Sequence, residues 1–169
     1  MANMITFSKT CNILNQDIQA MRRTVVNKYP ILVKLNCQDY IENGLNVDDS
    51  LQVAHRLANA GVDAIESSRT GINSLEKEDY YRNEARAFKR EIRITLILVG
   101  GIRSYELAEK LVENEEVDYI SMCRPFIMEP GLINQWASGD HSKALCKPDN
   151  ACLKSGRKGT GVRCLVKSV

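Results

Sequence analysis

The chain has 169 residues, is 44% hydrophobic, and carries 23 Lys and Arg against 21 Asp and Glu, for a formal charge of +2. This composition allows one ordinary domain with its own core, and so small a charge excludes strong attraction to nucleic acid. The N-terminus lacks the apolar core of a signal peptide, and no run approaches the roughly 18 apolar residues that span a bilayer. We therefore expect a cytoplasmic protein without nucleic-acid or membrane partners.

Helical and strand-like segments alternate along the chain. A leading helix is predicted by the spacing of Ile13, Leu14, Ile18, Met21 and Val25. Four short apolar runs predict strands buried on both faces, at 30–36, 62–68, 94–101 and 117–124. Helical spacing separates them, through Leu51, Ala54, Leu57 and Ala58, then Tyr81, Ala85 and Phe88, then Leu107, Ala108, Leu111 and Val112. A closing helix is predicted to begin at Pro130, to include Leu132, Ile133 and Trp136, and to end at Gly139.

The predicted order is α-(βα)4 followed by a tail. Alternation of this kind predicts an α/β fold with a parallel sheet and right-handed crossovers, either open or part of a closed barrel. Four strands cannot close a barrel, so both architectures stay open at this point. We expect one domain over 1–139 and a C-terminal tail over 140–169, which is rich in Lys, Gly and Cys and shows no helical periodicity.

The ends of the last two strands carry residues suited to a phosphate, since ligands of parallel α/β folds lie at the carboxyl ends of strands. Gly100 and Gly101 allow the backbone to approach a ligand closely, and Ser104 is placed to cap the next helix and leave its amides facing an anion. Arg124 supplies a planar cation for phosphate oxygens, and Pro125 stiffens the turn behind it. The Gly-Gly pair alone is equally typical of a tight turn, but together with Arg124 it favours a phosphate site.

Lys34 lies inside the first apolar run, where an unpaired charge is costly. One interpretation is that its ammonium faces a ligand or a partner at the end of the strand. The other is that its stem packs and its ammonium reaches solvent. The first is favoured.

Four segments carry a family resemblance in order and with similar spacing: YPILVKLN, GVDAIESS, ITLILVGGIRSYELAEKLVE and VDYISMCRPFIMEPGLINQWASGD. Together they resemble the C-terminal half of the NADH:flavin oxidoreductase family, which includes old yellow enzyme, from about Met21 to the end of the chain. The resemblance implies half of an eight-stranded TIM barrel that binds FMN, with the strands here as the fifth to the eighth. It also implies hydride transfer from NAD(P)H through FMN to an electron-poor alkene or a similar acceptor.

The same resemblance assigns roles to five residues. Lys34 matches the basic residue at the pyrimidine edge of the flavin, and Gly100 and Gly101 match a backbone phosphate loop. Cys123 and Arg124 match the second phosphate contact, which is usually Gly-Arg or Ser-Arg, and a backbone N–H donor at Cys123 tolerates that difference. The family's first four strands and its paired His/His or His/Asn are missing, and His55 and His141 do not match that pair, so both are predicted to be surface residues.

The tail cysteines resemble a further family feature. Cys146-x5-Cys152-x11-Cys164 resembles the four-cysteine stretch that binds a [4Fe–4S] cluster in larger relatives, with Asp149 where the second cysteine is expected. Three thiolates and a carboxylate are able to hold a cluster or zinc, but a plain loop is favoured. No metal is therefore predicted.

Three functional hypotheses remain open. The first is half of an FMN-dependent oxidoreductase, acting as a homodimer or with a missing half-barrel, since an exposed sheet edge and an apolar face favour association. The second is a TIM-like enzyme acting on a phosphorylated metabolite, which would have no flavin affinity. The third is a non-catalytic half-barrel remnant, favoured by the absent substrate pair and the incomplete cysteine set.

Overall fold

The computed structural model describes residues 2–68, 78, 81–147 and 149–165, with side chains from residue 14 onward. Its helices are α1 (Ala2–Val25), α2 (Val47–Asn59), α3 (Arg82–Glu91), α4 (Tyr105–Glu113), α5 (Arg124–Met128), α6 (Leu132–Ala137) and α7 (Ala151–Arg157). Its strands are β1 (Leu32–Asn36), β2 (Ala64–Ser68), β3 (Thr95–Val99) and β4 (Tyr119–Ser121). Within the described ranges, no helix is both long enough and apolar enough to traverse a bilayer.

The four strands form one parallel sheet in the order β1-β2-β3-β4. Each strand falls inside one of the predicted apolar runs, and α2, α3 and α4 connect successive strands as predicted. Parallel neighbours need such crossovers because the chain must return to the same end of the sheet before the next strand begins. The α/β half-barrel architecture predicted from the sequence is confirmed.

Two aspartates tie neighbouring strands together at the start of alternate strands. Asp63, just before β2, accepts a hydrogen bond from the backbone N–H of Ile31 at 2.6 Å and pairs with Arg22. Asp118, just before β4, accepts one from the N–H of Leu96 at 2.8 Å and pairs with Lys89. The bond from Ile31 lowers the pKa of Asp63, and Arg22 adds to that effect. Both carboxylates therefore fix strand register through a charge-assisted hydrogen bond.

The core lies between the sheet and its helices. Ile65, Leu96 and Leu98 point to the helical side and are fully buried, where they join Leu57 and Phe88. This alternation follows from the period of two along a strand.

The opposite face of the sheet corrects the prediction that all four strands are buried on both faces. Leu32 on β1 is 55% exposed and Tyr119 on β4 is 63% exposed. The register places Leu32, Lys34 and Asn36 on this face together with their β2 partners, because residues two apart on a strand share a face. In a closed barrel this face would line the interior, and we call it the open sheet face.

Two short helices depart from the sequence predictions. Arg124 and Pro125 begin α5 rather than forming a plain turn, since Pro fits the first turn of a helix. The tail contains α7 although residues 140–169 show no helical periodicity, and Ser155 on that helix is buried. The hydroxyl of Ser155 donates to the carbonyl of Gly161 at 2.9 Å, so polar bonds rather than an apolar stripe stabilise this segment.

Candidate phosphate site

A cavity lies at the carboxyl ends of β3 and β4. The volume of the cavity is about 70 Å³, roughly five times the cavity volume that one water molecule needs. That is enough for a phosphate group. Its lining consists of Val99, Gly100, Gly101, Ile102, Arg103, Ser121, Met122, Cys123, Arg124, Pro125 and Cys146.

The two glycines that line the cavity have backbone angles that other residues adopt only with strain. Gly100 has φ of 145° and Gly101 has φ of 75°. A β-carbon at either position would cost roughly 1–2 kcal/mol. Glycine here therefore sets the path of the backbone and leaves it open to close approach by a ligand.

Arg124 reaches the same cavity from the other strand. It is the first residue of α5, and Cys123 stands at the N-cap with φ of −122° and ψ of −65°. The Nη1 of Arg124 donates to Oδ1 of Asn150 in the tail at 2.8 Å. The structure thus brings Gly100, Gly101, Cys123 and Arg124 to one cavity, while their role in binding a phosphate stays a prediction.

The helix following the glycines is capped by an internal anion, which corrects the expectation for Ser104. The backbone N–H groups of Arg103 and Ser104 both donate to Oε2 of Glu78 at 3.1 Å, and the Ser104 hydroxyl donates to the same oxygen at 2.7 Å. Ser104 makes no side-chain cap of its own. These amides are occupied by a protein carboxylate, so they are not donors for a phosphate.

Glu78 and Arg103 are site residues for which sequence reasoning gave no role. Burial alone would raise the pKa of Glu78, but hydrogen bonds from Lys143, Ser104 and Arg103 together lower it below its usual range. Arg103 Nε lies 4.0 Å from Oε1 of Glu78, and its Nη1 donates to the carbonyl of Cys146 at 3.4 Å. Arg103 was visible as a cation two residues after the Gly pair, whereas Glu78 carried no local signal because its contacts are 25 and 26 residues away.

Lys34 lies outside this cavity. Its Nζ pairs with Oε2 of Glu66 at 3.0 Å, and its side chain is 58% exposed. Both residues lie on the open sheet face, one on β1 and the other directly opposite on β2. The ammonium is therefore partly exposed and at the same time balanced by a carboxylate.

The tail cysteines line a second, smaller cavity beside the first. Cys146, Cys152 and Cys164 surround it together with Asp149, and both Arg124 and Cys146 line the two cavities. Burial raises the pKa of the Cys146 thiol, although Arg124 opposes that effect. The carboxylate of Asp149 accepts a hydrogen bond from the N–H of Ala151 at 2.9 Å.

This arrangement does not fit an iron–sulfur cluster. Within the described part of the chain, no three His, Cys, Asp or Glu side chains are arranged to share a metal ion. The predicted absence of a metal remains a prediction, and no chemistry is assigned to one.

No protein-family model matches the chain, but curated proteins do. A 4,4'-dithiodibutanoate disulfide reductase of Rhodococcus erythropolis is 26% identical over 89% of the chain, an NADH oxidase of Thermoanaerobacter brockii is 28% identical over 67%, and an NADPH dehydrogenase of Bacillus velezensis is 25% identical over 69%. The homologues of the chain are NAD(P)H oxidoreductases of the old yellow enzyme type. The chain spans 46%, 19% and 35% of these three relatives, which is less than half of each.

Solved structures agree with the fold of this chain. A 2-naphthoyl-CoA reductase in complex with 2-naphthoyl-CoA superimposes with a TM-score of 0.81 at 20% identity, over 93% of this chain and 26% of that one. An old yellow enzyme in complex with pHBA does so with a TM-score of 0.62 at 11% identity, over 82% and 36%. These likenesses support a TIM-barrel architecture of which this chain holds one part.

The two histidines lie apart from the phosphate cavity. His55 on α2 is 48% exposed and lies 3.7 Å from Glu91. His141 is exposed and stacks on the ring of Tyr105 with the ring centres 3.8 Å apart. Neither lines the cavity.

Proposed function

We propose that this chain is the phosphate-binding half of an FMN-dependent NAD(P)H oxidoreductase. The observation that carries the proposal is the convergence of Gly100, Gly101 and Arg124 on one phosphate-sized cavity in a chain whose homologues are NAD(P)H oxidoreductases. When bound, FMN supplies the hydride transfer between a nicotinamide and an acceptor such as an electron-poor alkene.

The residues of the cavity fit the phosphate end of FMN. The backbone at Gly100 and Gly101 lets phosphate oxygens come close. The backbone N–H of Cys123 adds a donor, and a backbone donor does not depend on which side chain residue 123 carries. Arg124 supplies the charge, since a guanidinium pairs with phosphate through two parallel hydrogen bonds. These groups bind and orient, while proton or hydride transfer is assigned to none of them.

Lys34 is proposed to act at the ring end of the cofactor. Its position on the open sheet face, two strands from the cavity, separates it from the phosphate donors. A cation there would stabilise negative charge on the reduced ring. Glu66 holds the ammonium in place and partly offsets its charge.

The open sheet face is proposed to dock against another four-stranded unit. A TIM barrel has one helix for each of its eight strands. This chain places α1 before β1 and α6 after β4, so helices flank both ends of its sheet. Two copies would bring α6 of one and α1 of the other to each seam, one helix more than a barrel holds there. A unit that begins and ends with a strand closes the barrel without that conflict, and we propose this occupant over a homodimer.

The phosphate assignment is tested by comparing FMN with riboflavin, which lacks the phosphate. Arg124→Ala should weaken FMN binding about tenfold to a hundredfold, because a charge-assisted hydrogen bond contributes roughly 1.5–3 kcal/mol, and should leave riboflavin affinity unchanged. Arg90→Ala on the exposed side of α3 is the matched control. Equal losses for both ligands, or a wild-type chain that does not distinguish them in fluorescence titration, would reject the assignment.

A further inference from the structure

The C-terminal tail contacts both arginines that line the phosphate cavity, Arg103 and Arg124. Arg103 Nη1 donates to the carbonyl of Cys146 at 3.4 Å, and Arg124 Nη1 donates to Oδ1 of Asn150 at 2.8 Å. Cys146 itself lines the cavity. The segment that resembles a cluster-binding loop therefore braces the cations of the neighbouring site.

Asn150 uses its side chain in an unusual way for its position. It stands at the N-cap of α7, where an Asn side chain ordinarily accepts a backbone N–H of the first turn, but it makes no such cap. Asp149 accepts the N–H of Ala151 instead. The amide oxygen of Asn150 is thereby directed to Arg124, and its left-handed backbone, with φ of 57°, maintains that direction.

We infer that Asn150 is a positioning residue for phosphate binding, because it holds the guanidinium of Arg124 at the cavity. This inference rests on the proposed function. A guanidinium carries five N–H donors in a rigid fork, so fixing one of them orients the others. Binding then orders a side chain that is already partly ordered, which lowers the entropic cost of forming the phosphate contact.

The size of the effect follows from that cost. Immobilising one long side chain changes a binding constant by about two- to tenfold. Because riboflavin does not contact Arg124, the change should appear only in the affinity for FMN. A purely structural role of the tail would weaken both ligands alike.

The test uses two glycine substitutions at asparagines with the same backbone geometry. Asn150→Gly removes the contact and keeps the left-handed conformation, while Asn43→Gly is the matched control, since Asn43 is also exposed and has φ of 58°. Dissociation constants for FMN and riboflavin are measured for both variants and for the wild-type chain. We expect Asn150→Gly to reduce the preference for FMN by two- to tenfold, with riboflavin affinity and the control unchanged.

The outcomes separate this inference from the proposed function. If the wild-type chain prefers FMN to riboflavin and Asn150→Gly keeps the same preference, the inference alone is overturned. A wild-type chain without preference overturns both. A second measurement needs no flavin: the rate at which phenylglyoxal modifies Arg124, mapped by mass spectrometry, should rise in Asn150→Gly, and an unchanged rate also overturns the inference.

Discussion

Replacing Glu78 by Gln tests whether a buried carboxylate holds the loop that follows the glycines. Its Oε2 accepts three hydrogen bonds, from the N–H groups of Arg103 and Ser104 and from the Ser104 hydroxyl. Bonds to a charged acceptor contribute about 1 kcal/mol more than bonds to a neutral one. Since the three share one oxygen, we expect a combined loss of about 2 kcal/mol rather than the full sum.

Urea unfolding gives this quantity directly. For a chain of this size the slope is about 2 kcal/mol/M, so Glu78→Gln should lower the midpoint by about 1 M at pH 7. Lys143→Met is the control for the ion pair alone. Because the Lys143 side chain is 55% exposed, its removal should cost less than about 1 kcal/mol.

The pH dependence of stability provides an independent check that the ionised carboxylate of Glu78 stabilises the fold. The pKa of Glu78 in the folded protein lies below its ordinary value of 4.5. Its stabilisation is therefore complete above pH 4.5 and is lost as the pH falls through the folded-state pKa. The difference in urea midpoint between the wild type and Glu78→Gln should therefore become smaller as the pH falls below 4.5. Midpoints that coincide at pH 7, or a gap that stays constant down to pH 2, would refute the reasoning.

Two further predictions concern the ends of the sheet. Hydrogen bonds from Arg82 and Arg86 hold the pKa of Glu116 at about 2, so Glu116→Gln should lower the free energy of unfolding by roughly 1–2 kcal/mol at pH 7. That difference should fade between pH 4.5 and pH 2, and persistence of the full difference at pH 2 would contradict it. The helix arrangement predicts that the chain alone does not form a discrete dimer through the open sheet face. A dimer in light scattering that Tyr119→Lys abolishes would contradict this second prediction.

The strands and the glycines could be predicted from sequence because their signals are local. A short apolar run reports burial within a few residues of itself, and Gly100–Gly101 followed later by Arg124 marks two neighbouring strand ends. Once the strands are parallel and consecutive, their carboxyl ends meet at the same edge. Convergence on one cavity then follows from topology alone.

Contacts formed across the sequence were not predictable in the same way. Glu78 reaches residues 25 and 26 positions away, and Asn150 reaches Arg124 across 26 positions. Ser104 has the residue type of an N-cap, but the carboxylate of Glu78 accepts hydrogen bonds from the backbone N–H groups of Arg103 and Ser104. A competing acceptor of greater charge decided the outcome, and its approach depends on tertiary structure.

The open face of the sheet was mispredicted for a related reason. An apolar run such as ILV indicates that a strand will be buried but does not say by what. Leu32 and Tyr119 have apolar side chains that remain exposed within this chain, so the sequence carries the pattern of a closed barrel while the chain supplies four of its strands.

Because the chain supplies only four strands of the barrel pattern, a phosphate site is the function that it supports best. The donors proposed for the phosphate come from the ends of two adjacent strands, and Asn150 of the tail contacts one of them, Arg124. A flavin ring or a substrate in the barrel interior would also contact residues across the open sheet face, from strands that this chain does not itself supply. Affinity for the phosphate can therefore be tested on the chain alone, whereas hydride transfer can be tested only after the open face has been covered.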